Sequence, residues 1–352
     1  MRGWATSPSF EAGRFDPPNA AGAIVMAAGI FTVASLPRLP FGGTLAGVAA
    51  AVVALAWVAV AVGIAVSAAR RGGLSRRTQP VVESFGIGTW AAGTAVLARV
   101  LMLAAPDNPW PARMAFMVAT VLWLWFMPRA LGNLIRLART RLPPNGIILL
   151  STVATQAIAL IALRLFPAVP GVWIGAAGLM ALGVLCYALA AFLVLRRYAG
   201  GGWSLAGDWA NGNCILHGAL SITGLTAIVS GRFGAGAILA LWGAVVAIFA
   251  VVETIEVARL VVRVRALGWR AGVLVYDVSQ WARNFTFGMF YAFTLAFMAR
   301  YPAVADPRLG ALREAVAAYG AYVVLALLLA ETALLLLAPR PTAAARVAMP
   351  SG

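Results

Sequence analysis

The sequence predicts an all-α polytopic membrane protein of ten transmembrane helices, arranged as five helical hairpins whose odd-numbered helices form an inner ring around a pore. Three observations predict it. Of 352 residues, 62% are hydrophobic and 11% charged, against about 25% charged in a soluble domain, and the mean hydropathy is +0.90. Ten apolar runs reach the ~20 residues a helix needs to cross a bilayer. Polar residues within those runs alternate with chain order, dense in the odd runs after the first and sparse in the even ones.

The runs fall at 20–36, 44–68, 81–105, 114–135, 145–166, 172–195, 210–231, 234–258, 276–299 and 315–338. The first is short, but Pro17 and Pro18 precede it, and proline sets a helix start. The third carries Glu83, Ser84, Thr89, Thr94 and Arg99, and the fifth carries Ser151, Thr152, Thr155 and Gln156. The seventh carries Asn211, Asn213, His217, Ser221, Thr223 and Thr226. The ninth, from Tyr276, holds Asp277, Ser279, Gln280, Arg283, Asn284 and Thr286. A polar group left unsatisfied in hydrocarbon costs several kcal/mol, and an arginine at mid-bilayer roughly 2.5–3.5 kcal/mol on insertion scales. The odd runs are therefore expected to look onto protein or water, and the even runs onto lipid. A competing reading is that these hydroxyls bond neighbouring helices or their own backbone. The end of the eighth run and the residues after it carry Glu253, Glu256, Arg259, Arg263 and Arg270, a charged stripe that suits a helix leaving the membrane with i,i+3 and i,i+4 pairing.

The net charge is +16, and all 27 basic residues are arginine. In a soluble protein that balance would suggest nucleic acid; here the arginines sit in short loops between apolar runs, so no nucleic-acid partner is expected. The loops after even-numbered runs hold fourteen arginines and those after odd-numbered runs seven; the tails raise the first figure to eighteen. The positive-inside rule then puts both termini in the cytoplasm, and an inner (plasma) membrane is the expected location. Residues 1–19 and 339–352 are expected as cytoplasmic tails around a transport domain at 20–338. A cleaved signal peptide is not expected, because the flank is long and no clean small-x-small site stands out. Cys186, Cys214 and the single histidine make no disulfide framework or metal-ligand cluster. Neither a cofactor nor an enzyme activity is expected, since the scattered carboxylates supply no convergent catalytic set.

The polar odd runs imply a transport path among the inner helices. Thr94, Thr155, Gln156, Asn213, His217, Asn284 and Thr286 are its expected lining, where hydroxyl and amide groups would replace part of an ion's hydration shell. Arg283, about two turns into the ninth run, would favour anions, as charged rings do in channels. His217 either shuttles a proton or bonds a polar neighbour. Glu331, in the tenth run, is a functional candidate by default or the partner of an inner-helix arginine. Arg99 is near enough to a helix end to snorkel to the interface.

Several segments resemble the tellurite-resistance/dicarboxylate transporter superfamily, which includes the plant slow-type anion channels. PPNAAGAIVMAAGI resembles its proline-led VMxTGI opening, with Ala28 in the threonine's place. NGIILLSTVATQAIAL resembles its asparagine-glycine start and VATQS-like run, and HGALSITGL its MGALAI-type run, with His217 where methionine is common. Trp281 to Phe290 is similar to its Trp-x-x-x-Phe-Pro-x-Gly-Met-Tyr pattern. The resemblance implies five helical hairpins around a central pore, a trimer with separate pores, and passage of chloride, nitrate, malate or sulfite. It also implies a phenylalanine plug on the ninth helix. By the tryptophan spacing that residue is Phe285. Thr286 replaces the proline that follows it in the family, so no proline kink holds the gate, and Phe287 is a rival plug. A coupled carrier of dicarboxylates or related oxyanions, with His217 or Glu331 titrating, is the alternative the same resemblance allows.

Overall fold

In the computed structural model, residues 17–70, 73–302 and 307–338 are described. The expected tails, apart from residues 17–19, lie outside them. Every regular element among the described residues is helical. The ten long helices are α1 (Gly22–Ile30), α2 (Gly42–Arg70), α3 (Gly88–Ala104), α4 (Trp110–Arg139), α5 (Leu150–Leu165), α6 (Val172–Ala199), α7 (Ile215–Ser230), α8 (Ala235–Gly272), α9 (Ser279–Arg300) and α10 (Pro307–Leu337). Nine helical segments among the described residues are long and apolar enough to cross a membrane, so the protein is membrane-embedded. The exception is α9, which is long enough at 22 residues but begins with Gln280, Arg283, Asn284 and Thr286.

Burial separates the helices into two sets. The most apolar stretches of the spans that contain α1, α3, α5 and α7 are 61–89% buried, and those of α2, α4, α6, α8 and α10 are 17–39% buried. Twelve of the 22 residues of α9 are buried. Among the odd helices, α1 packs on α3, α3 on α5, α5 on α7, α7 on α9, and α9 again on α1. Each also packs on the even helix that follows it in the chain. The exposed even faces are apolar, as with Leu55, Val121 and Leu185, which suits surfaces that meet acyl chains.

Four of the odd helices are entered through a 3-10 turn, at Asn19–Ala21, Glu83–Ile87, Gly146–Leu149 and Asn211–Cys214. These turns pack against one another at one end of the molecule. There, Asn145 Oδ1 accepts from the Ile147 amide at 3.0 Å, and Asp277 Oδ1 accepts from the Ser279 amide at 2.8 Å. Such side chains satisfy the donors that a helix start leaves open. A Cβ on Gly146 would lie 2.1 Å from the Gly212 carbonyl oxygen, so only glycine permits this approach.

Several outer helices outrun the apolar runs that predict them: α6 reaches Ala199 and α10 begins at Pro307. α8 continues through the charged stripe to Gly272, with a break at Gly268, whose φ of +72° is left-handed and therefore suits glycine. α4 reaches Arg139 and carries Pro128 within it.

Candidate functional site

A cavity of about 310 Å³ lies among the odd helices, and all five contribute to its wall. Ile30, Val96, Ile161, Ile222 and Met289 represent one helix each. The wall is apolar apart from Arg38, Arg99 and Arg164, at the end opposite the entry turns. Arg38 is exposed, while Arg99 and Arg164 are half-buried. No carboxylate is among the lining residues. Three cations over low-dielectric walls focus field lines and raise the local concentration of anions.

The faces of α9 meet different neighbours. With 3.6 residues per turn, Phe285, Met289, Ala292 and Ala296 share one stripe; the last three line the cavity, and Phe285 stands one turn beyond them, 2% exposed. Gly288 on one flank meets Ile30 of α1, and Thr286 on the other meets Gly218 of α7. Phe287 is turned the opposite way. Its ring lies 5.0 Å from Phe249 of α8 and 6.2 Å from His217.

The hydroxyl and amide groups expected to line a path are turned towards neighbouring helices, and none of the seven lines the cavity. Thr94 Oγ1 accepts from the Trp57 indole of α2 at 2.8 Å and donates to the Trp90 carbonyl. Thr155 Oγ1 accepts from the Trp123 indole of α4 at 3.0 Å and donates to the Ser151 carbonyl. Gln156 donates to the Met180 carbonyl of α6 at 3.2 Å. Asn213 accepts from the Gly146 amide and donates to the Tyr198 hydroxyl. Asn284 donates to the Leu327 carbonyl of α10, and Thr286 to the Arg283 carbonyl of its own helix. The physical reason is that lipid offers no partner, so an inner-helix polar group finds one on the helix packed against it.

His217 and Arg283 belong to a charge cluster between α7, α8 and α9. Arg283 Nη1 lies 3.2 Å from Glu253 and Nη2 lies 2.7 Å from Glu256. Glu256 also accepts from the Trp209 indole at 2.8 Å and pairs with Arg259 at 3.4 Å. Arg259 in turn donates to Asn211. His217 Nε2 is 3.6 Å from Glu253, beyond hydrogen-bond reach. Two carboxylates thus face two guanidiniums, and Arg283 is neutralised where it sits. Sequence reasoning read the stripe on α8 as internal pairing. That holds for Glu256 with Arg259, but it missed the bridge to α9. The signal was present: an arginine inside an apolar run needs a carboxylate at its own depth. Glu331 makes no ion pair with an inner-helix arginine among the described residues. It is 4% exposed, and its Oε1 has no hydrogen-bond partner.

No protein-family model and no curated protein matches the chain.

Proposed function

We propose that the protein moves small anions across the membrane through the space enclosed by α1, α3, α5, α7 and α9. In this reading the chain is five helical hairpins, the inner helix of each facing the pathway and the outer helix facing lipid. The observation that carries it is the cavity walled by all five odd helices, with Arg38, Arg99 and Arg164 and no carboxylate among its lining. The arginines draw an anion in at that end. Phe285 closes the path one helical turn deeper, and the buried hydroxyls hold the inner helices to the outer ones. The arginine count in the loops supports both termini in the cytoplasm, which would make the arginine mouth the outward one. Likeness to the tellurite-resistance/dicarboxylate transporters supports chloride, nitrate or a C4-dicarboxylate as cargo, and a trimer.

The test is uptake of chloride, nitrate and malate into proteoliposomes, set against a cation such as potassium. Anion uptake that falls severalfold in Arg99→Gln/Arg164→Gln, at unchanged thermal stability, supports the reading. Equal uptake by the variant, or uptake of potassium alone, overturns it.

A second reading, a carrier that couples anion movement to a proton, is favoured by one observation. His217 is buried with both ring nitrogens unpartnered, beside Glu253 Oε1, which is also unpartnered. Malate accumulation driven by a pH gradient and lost in His217→Gln would select it.

A further inference from the structure

A second group of arginines lies outside the central cavity, where α4 and α6 end. A hollow of about 460 Å³ opens there between the linker after α4 and the last turn of α6. Arg139, Arg141, Arg196 and Arg197 all line it, and no carboxylate does. Asp208 approaches only Arg197, at 3.9 Å.

Two of the guanidiniums are pinned in place. Arg196 donates to the carbonyls of Leu137 at 3.3 Å and Ala138 at 3.5 Å. Arg197 donates to the carbonyls of Pro144 at 2.7 Å and Asp208 at 3.2 Å. The bonds of Arg196 occupy carbonyls that the end of α4 leaves open, those of Arg197 occupy loop carbonyls, and together they hold both cations at the wall. Arg139 and Arg141 are exposed and make no hydrogen bond or ion pair among the described residues. Thr140 stands between them, with Oγ1 buried and unpartnered. A hydroxyl in that position has a proton to give, and four guanidiniums have matching forks of N–H donors. Together they fit an oxyanion with several acceptor oxygens.

The surroundings select the kind of oxyanion. Leu142, Pro143 and Leu193 share the hollow with the arginines. Along the same two helices Ile135, Phe192 and Leu195 are 48%, 58% and 62% exposed, apolar surface that suits acyl chains. A free inorganic ion would use only the arginines; a lipid would use both surfaces. We propose that the hollow binds the phosphate of an anionic membrane phospholipid, whose acyl chains lie along the exposed faces of α4 and α6. Basic pockets between transmembrane helices recognise headgroups in this way. The site is independent of what passes through the central cavity.

The test titrates purified full-length protein in an uncharged detergent with phosphatidylglycerol, phosphatidylcholine or sodium phosphate, reading the unfolding temperature. Phosphatidylglycerol is expected to raise it saturably and phosphatidylcholine to leave it unchanged. Arg139→Gln/Arg141→Gln, both at exposed positions, is expected to raise the half-saturating lipid concentration about tenfold or more, at roughly fivefold per arginine. Thr140→Val is expected to raise it severalfold. Arg265→Gln/Arg270→Gln, exposed arginines on α8, serves as the control and is expected to match wild type. Equal loss in the control would mean diffuse surface charge and overturn the site. So would the same response to both lipids. Sodium phosphate acting as strongly as the lipid at equal concentration would overturn the lipid assignment.

Discussion

Nη2 of Arg283 on α9 lies 2.7 Å from Oε1 of Glu256 on α8. That ion pair, with the 3.2 Å contact to Glu253, joins an inner helix to its outer neighbour through side chains rather than close backbone packing. Removing one member of a buried ion pair strands the other, at a cost of about 3–5 kcal/mol. Arg283→Gln leaves Glu253 without a cation and Glu256 with Arg259 alone. It is expected to destabilise the protein by about that amount, read as a fall in the midpoint of chemical unfolding in detergent. Arg283→Gln combined with Glu256→Gln is expected to recover part of the loss. If Arg283 instead acts mainly as a free anion attractor, the single variant will lose anion flux at unchanged stability.

Phe285 and Phe287 occupy opposite faces of α9, so substituting each in turn distinguishes the proposed gate from packing. Phe285→Ala is expected to raise anion conductance well above wild type, since it opens the end of the cavity. Phe287→Ala is expected to leave conductance unchanged and to cost about 1–3 kcal/mol, below the value of a fully buried phenylalanine, through lost contact with Phe249 and His217. Electrophysiology in planar bilayers beside a thermal melt reads both. A conductance gain in Phe287→Ala alone would reverse the assignment.

Much of this fold is legible in the sequence. Length and hydropathy fix where a helix can cross, so the ten helices coincide with ten apolar runs. Where the ends differ, as at Arg139, Ala199, Gly272 and Pro307, the helix takes in charged residues that lie outside the apolar run. The site is less legible. Polar content marks the odd helices as interior, yet it does not tell which way each side chain turns. Thr155 is fully buried and faces Trp123, because a hydroxyl and an indole satisfy each other where water is absent. The apolar stripe of Met289, Ala292 and Ala296, which does meet the cavity, carries no compositional mark. The three entry residues Asn145, Asn211 and Asp277 are evenly spaced along the chain. That spacing is a repeat signal the sequence holds in plain view.

Close packing of α7 on α9 depends on two glycines. A Cβ at Gly218 would sit 2.2 Å from Thr286 Cγ2, and one at Gly224 would sit 2.3 Å from the Phe293 ring. Overpacking of this kind costs about 1–3 kcal/mol. Gly224→Ala is expected to cost more than Gly218→Ala, because a buried ring between helices has less freedom to give way than a threonine methyl. Unfolding midpoints of the two variants check the order, and Gly236→Ala, where a Cβ meets nothing within 4 Å, is expected to match wild type.

Three outer-helix tryptophans repeat one contact with an inner-helix threonine: Trp57 with Thr94, Trp123 with Thr155 and Trp242 with Thr294. In each, the hydroxyl passes its own proton to the carbonyl four residues earlier, so every polar atom of the pair is used. Polar bonds between transmembrane helices average about 0.6 kcal/mol in coupling, with a maximum of about 1.7. Trp242→Phe, Thr294→Val and the double variant form a cycle that isolates the bond. A coupling of about 1 kcal/mol is expected at this pair, because both residues are fully buried and the freed hydroxyl or indole has no water to turn to. The Trp57 pair borders an open apolar groove between α2 and α4 and is expected to couple more weakly. Equal coupling at both pairs would mean that burial does not set the strength of these clamps.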